Sequence, residues 1–128
     1  ANCKKLLNHP LVKTKDVKFF VYYGEDIFPK KYSKINAFSI ANFINGKPEF
    51  DHIVVFTPGI IKSGCIEMAA AHDLGHINLN TTDELRVDEF TVNVLGSKKK
   101  VIDCLIKGGE SPDSERIVAL FDKEEDSR

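Results

Sequence analysis

Hydrophobic positions change their period once along this chain, near residue 58. Before that point apolar and β-branched residues come in short runs: residues 17–23 (VKFFVYY), stopped by Gly24, then residues 35–44 and residues 53–57. Asn45-Gly46 followed by Lys47-Pro48 marks a tight turn, so the second and third runs predict a β-hairpin. Residues 2–9 predict one short helix, ended by Pro10.

After Pro58-Gly59 the period lengthens to that of a helix. Cys65, Ala69, His72 and His76 recur at steps of four, three and four, while Ile66, Ala70, Leu74 and Ile77 form a second apolar face. The spacing predicts one helix buried on two sides. A second helix is predicted from about Thr82 to Leu95, ended by Gly96, and a third from about Lys98 to Lys107, ended by Gly108-Gly109. Ser111-Pro112 supplies an N-cap with Pro at the first helical position, predicting a fourth helix through Phe121.

Composition sets limits on this pattern. A chain of 128 residues, 42% hydrophobic, supplies one core, and residues 1–128 read as a single domain. Eighteen basic and nineteen acidic side chains leave a net charge of −1, which excludes a nucleic-acid binder that works by neutralising phosphates. The least charged stretch, residues 53–71, is interrupted by Pro58, Gly59, Lys62, Gly64 and Glu67, so no membrane segment is predicted. Cys3, Cys65 and Cys104 are odd in number and lack paired spacing. They predict reduced thiols and, with no leader or lipidation signature, an intracellular, cytoplasmic protein.

The chemistry concentrates in two short segments. His72-Asp73-Leu74-Gly75-His76 places two imidazoles four apart, which on a helix points both from one face at a shared metal. With four histidines in 128 residues, roughly 0.1 such pairs are expected by chance, so the pair needs a third ligand to carry weight. Eight residues on comes Glu84, and four beyond it Asp88, again one helix face. If Asn80-Thr81-Thr82 turns the chain back, Glu84 completes a two-His, one-Glu zinc site of the catalytic type. Asp88 is then expected to accept the second ring N–H of a ligand histidine and fix its tautomer. Asp73 stands where zinc peptidases place their general base, normally Glu. The competing reading of Thr81-Thr82-Asp83-Glu84 is a capping box in which Glu84 only binds its own helix N-terminus. For His72 and His76 it is a pair of buried, hydrogen-bonded histidines.

Taken in order, these residues resemble the gluzincin metallopeptidases, within them the family of CAAX prenyl proteases and heat-shock membrane peptidases. Asn36-Ala37-Phe38 is similar to that family's edge-strand segment, and Ile53 to Thr57 with Gly59-Ile60 to the strand and turn before its active-site helix. Val87-Asp88-Glu89-Phe90 resembles the segment after the third ligand; Ser111-Pro112 with Arg116-Ile117 and Leu120 resembles its ending. Lacking any long insertion between His76 and Glu84, the chain looks like a minigluzincin.

The resemblance implies an α+β fold: a small three-stranded sheet, partly antiparallel, packed on an active-site helix and further C-terminal helices. It also implies Zn²⁺ held by His72, His76 and Glu84, and a peptide or protein substrate held along Asn36, Ala37 and Phe38. Two departures bear on activity. Asp73 for Glu withdraws the carboxylate by about one C–C bond, ~1.5 Å, and misplacement on that scale costs on the order of 10²-fold in rate. Ser111 replaces a His, leaving Arg116 either to stabilise the transition state or to serve as a structural ion-pair partner. The expectation is a weak or latent zinc endopeptidase, the alternative an inactive homologue that binds peptide or acts as a structural module. The acidic tail, Asp122 to Asp126, is a candidate for folding back over the cleft.

Overall fold

In the computed structural model, which describes residues 3–21 and 37–122, the chain starts with one short helical turn, α1 (Cys3–Leu6). The predicted β-runs follow as β1 (Lys18–Val21), β2 (Ala37–Ile44) and β3 (Lys47–Phe56). Asn45 and Gly46 both take positive φ, 54° and 80°, the conformation that a two-residue hairpin turn requires. The turn fixes the register, Ile44 opposite Lys47 and Phe43 opposite Pro48, and β3 therefore starts six residues earlier than its apolar run. β1 adds to the other side of β3 in parallel, giving the order β1-β3-β2. This mixed three-stranded sheet with helices to its C-terminal side is the α+β fold the sequence implied.

The β2–β3 ladder slips once. Ser39 pairs with Val54 and Ala41 with Phe50, so one residue of β2 faces residues 51–53 of β3. Such a bulge bends the strand. Here it follows Phe50, whose buried ring turns towards the helical layer, while His52 within the bulge pairs with Asp16 at 3.0 Å.

The helix predicted on Cys65 to Ile77 is present, and a short helix precedes it. α2 (Pro58–Ser63) ends at Gly64, whose φ of 81° no continuing helix can accommodate, and α3 (Ile66–Leu79) begins after Cys65. Ser63 Oγ stitches the break by donating to Ile60 O at 2.7 Å and accepting from Cys65 N–H at 3.1 Å. α4 (Glu84–Leu95) and α5 (Lys98–Lys107) follow the predicted bounds, with Gly96 in the left-handed conformation between them and Ser97 capping Lys100 N–H. Ser111-Pro112 opens a turn rather than a helix. Ser111 bonds the Asp113 carboxylate, and α6 (Glu115–Asp122) begins only after Ser114, whose Oγ accepts from Ile117 N–H at 3.3 Å.

Two clusters form the core. The larger lies between sheet and α3 and includes Val54, Phe56, Ala70, Leu74 and Phe90; the smaller joins Met68 of α3 to Val101, Ile102 and Leu105 of α5 and Ile117 and Leu120 of α6. α3 meets α4 closely at Gly75, where an added Cβ would lie 3.0 Å from both Phe90 Cδ1 and Val87 Cγ1. Asn78 at the far end of α3 holds the N-terminal segment, its Oδ1 accepting from Lys13 and Thr14 N–H at 2.7 Å each.

Cysteine corrects the sequence reading. Cys65 and Cys104 form a disulfide, Cα atoms 5.8 Å apart, which ties the start of α3 to α5; only Cys3 is a free thiol, buried in the core. Sequence spacing could not pair them because they are 39 positions apart with two whole helices, α3 and α4, between them. With the pairing, the thiol argument for a reducing compartment falls. No helix among the described residues is long and apolar enough to cross a membrane.

Two measurements check this architecture. Denatured, unreduced protein should titrate as one thiol and reduced protein as three; a three-thiol result without reductant would remove the bridge. Because the bridge closes a 39-residue span, its reduction should cost about 3–4 kcal/mol of unfolding free energy. Gly75→Ala, despite better helix propensity by ~1 kcal/mol, should lower stability in urea by about 1–3 kcal/mol through overpacking against Val87 and Phe90.

Candidate metal centre

α3 and α4 run back to back through a short turn at residues 80–83, and the turn is built around one backbone conformation. Asn80 adopts φ 50°, ψ 50°, ending α3 with its N–H on His76 O. Thr81 then lies over the last helical turn, and its carbonyl accepts from His76 Nδ1 at 2.8 Å. A carbonyl can only accept, so Nδ1 carries a proton, and Nε2 is the nitrogen directed into the site. Asp83 caps α4 by accepting Leu85 N–H at 3.0 Å. Glu84 is therefore not needed at the cap, and the capping-box reading fails.

Released from capping, Glu84 faces both histidines. Its Oε1 lies 2.8 Å from His76 Nε2 and its Oε2 3.3 Å from His72 Nε2. The two rings stand edge to face with centroids 4.9 Å apart, and Phe50 lies against His76 at 5.5 Å. A tetrahedral ion with bonds of about 2.0–2.1 Å has ligand atoms roughly 3.3 Å apart, which the His72–Glu84 spacing matches, while the His76–Glu84 contact is shorter. One ligand atom each from His72, Asp73 and His76 also fall within 4.8 Å of one another, a group able to hold a metal ion. Asp73 is 5% exposed, its Oδ1 is 3.9 Å from His72 Nδ1, and its buried Oδ2 has no hydrogen-bond partner. An unsatisfied carboxylate oxygen beside two imidazoles and a glutamate is costly without a cation or proton donor, and this donor set fits a borderline divalent metal.

Asp88 takes a different place from the one expected. It approaches His72 at Nε2, 3.3 Å, the nitrogen aimed at the site, rather than the opposite ring nitrogen. Its main partner is Arg116 of α6, which forks onto it with Nε–Oδ2 at 2.8 Å and Nη2–Oδ1 at 2.6 Å. Arg116 also reaches Glu84 Oε2 at 3.2 Å, Glu110 Oε1 at 3.4 Å and His72 Nε2 at 3.0 Å. Of the two roles weighed for Arg116, the ion pair is present.

Charge at the site follows from this crowding. Burial opposes ionisation of Glu84, but His72, His76 and Arg116 outweigh it and hold its carboxyl far below the usual range. Asp88 is likewise lowered against burial, chiefly by Arg116 and then His72. Burial opposes a charge on His72, whereas Asp73, Asp88 and Glu84 together push its pKa well above the ordinary imidazole value. The Arg116 contact pulls the other way, because a guanidinium N–H cannot face a second N–H at 3.0 Å. Arg116 can only donate, so its contact requires an unprotonated Nε2, whereas the neighbouring carboxylates favour a proton there, and the two demands compete for one nitrogen.

The structure thus brings together His72, Asp73, His76, Glu84, Asp88 and Arg116. Ala37 and Phe38 open β2, paired through the backbone with Phe56 and Val55, while Asn36 and the tail beyond Asp122 lie outside the described residues. Ser111 is engaged in its own turn with Asp113. Thr81, Phe50 and Glu110 escaped sequence reasoning: the first acts through its carbonyl, and the other two are brought in by a strand and a turn far away in sequence. No family model, curated protein or solved structure matches this chain.

With chelator present, the buried Asp88–Arg116 pair should contribute to acid stability. Asp88 has a depressed pKa, so its contribution is full above its unfolded value near 4 and is lost as pH falls through the lower folded value. Asp88→Asn should therefore cost about 3–5 kcal/mol at pH 7, and the gap to wild type should narrow below about pH 4 in denaturant titrations. A pH-independent gap would contradict the pairing.

Proposed function

We propose that this protein is a zinc-dependent metalloendopeptidase of minimal gluzincin type, with weak or latent activity. The observation that carries the reading is the convergence of His72 Nε2 and His76 Nε2 on the Glu84 carboxylate, at 3.3 and 2.8 Å. His72, His76 and Glu84 would hold the zinc, which when bound supplies Lewis-acid polarisation of a peptide carbonyl. Thr81 O keeps His76 in the tautomer a metal ligand requires. Asp73 would take the proton of the attacking water and pass it to the leaving amine. Among the described residues β2, which opens with Ala37 and Phe38, is an edge strand of the sheet, along which a peptide substrate would lie as a further strand.

A second reading keeps the fold, with or without the metal, and drops the chemistry: an inactive or zymogen-like peptidase homologue that binds peptide or serves as a structural module. What favours it is Asp73, one methylene short and only 5% exposed.

Metal analysis and a casein-cleavage assay test both. The expected results are one zinc per chain and a loss of affinity in Glu84→Gln exceeding ~100-fold, since even residues that merely orient ligands cost 10–100-fold. Asp73→Glu should raise peptidase activity by about 10–100-fold. Zinc bound with no cleavage by either protein would favour the second reading; no zinc would end the first.

A further inference from the structure

Arg116 occupies a position that the proposed chemistry does not need. It is the second residue of α6, yet its guanidinium reaches α3 and α4 at once: Asp88 through the fork, and His72 Nε2 and Glu84 Oε2 at 3.0 and 3.2 Å. The last two atoms are those that a metal would use. An imidazole nitrogen has one in-plane lone pair, which can accept an Arg116 N–H or bind a metal, not both. Space gives the same answer. A metal about 2.0–2.1 Å from Nε2 along the lone pair that now meets Nη2 at 3.0 Å would leave no room for that nitrogen, and would set a guanidinium and a dication side by side in a half-buried site.

The fork to Asp88 is different, because no ligand atom is involved. Asp88 is 1% exposed and would be stranded as a buried charge if Arg116 left it. Glu110, at 3.4 Å from Nη1, gives the guanidinium a further anchor on that side. We propose that Arg116 competes with the metal for His72 Nε2 and Glu84 Oε2, so that metal loading exchanges these two contacts while the fork to Asp88 persists. This rests on the metal-site reading given above. Arg116 then acts as an internal cation that sets the affinity threshold of the site.

Titration of chelator-stripped protein with Zn²⁺, in competition with a chromophoric chelator, tests the proposal, with Co²⁺ absorption reporting the ligand set. Arg116→Gln should bind zinc about tenfold or more tightly than wild type, since charge-assisted hydrogen bonds no longer have to be exchanged. The stripped variant should melt lower than stripped wild type and gain more from zinc. Lys62→Gln, which removes the same charge from an exposed position of α2, should leave affinity within about twofold. Should Arg116→Gln alone fail to fold, the Asp88→Asn/Arg116→Gln pair keeps the buried contact neutral and carries the same expectation. Equal or weaker zinc binding by the variants overturns the proposal and leaves the metal site standing. So does an Arg116→Lys protein indistinguishable from wild type, because charge alone would then suffice. Absence of binding by wild type and variants alike removes the site and the proposal together, whereas binding by the variants only supports the competition.

Discussion

The close approach of α3 to α4 at Gly75 is the constraint on which the rest of this structure depends. Val87 and Phe90 press into the space that a side chain at residue 75 would fill. His72 and His76 flank Gly75 on α3, and Glu84 and Asp88 flank Val87 on α4, so the packing contact sets polar groups from the two helices against each other. Sub-ångström changes in helix separation would be felt directly as changes in the Glu84–imidazole distances. Packing, not hydrogen bonding, supplies that precision, because interiors are too dense to deform gradually.

Burying so many ionisable groups in one place raises a problem that the fold answers with opposite charges. Asp73, Glu84 and Asp88 crowd two imidazoles, and a carboxylate taken out of water is costly unless paired. Arg116 meets that cost for Asp88 and part of it for Glu84. Only the Asp73 Oδ2 atom remains unanswered, and it is also the group on which catalytic competence turns. The α5–α6 pair that delivers Arg116 is fastened to α3 by its own small core and by the Cys65–Cys104 bridge, so the guanidinium is held from two directions.

Much of this was legible along the chain. The Asn45-Gly46 turn, the switch of hydrophobic period after Pro58 and the glycine that ends α4 are local signals, and local backbone chemistry obeyed them. The His72–His76 spacing and the return of Glu84 were legible for the same reason, since helix geometry and a short turn leave few alternatives. Misreadings arose where two local signals competed. The helical period after Pro58 gives no sign of the short α2, which Gly64 ends in a left-handed conformation. Ser111-Pro112 has the form of a helix start, yet Ser111 bonds Asp113 and Ser114 becomes the cap. In the turn before α4, Asp83 took the capping role that Glu84 also fitted, and this freed Glu84 for the site.

By itself, then, the sequence determined the elements, the hairpin register and the short list of metal-capable side chains, because each is set by neighbours within a few residues. Only the tertiary structure decided the partnerships: Cys65 with Cys104, Asp88 with Arg116 rather than with a free ring nitrogen, Thr81 O with His76. These depend on how helices separated by tens of residues come to lie together, and on contacts made by backbone atoms that every residue carries. No spacing rule encodes them, since burial and charge balance choose among partners only once the chain has folded.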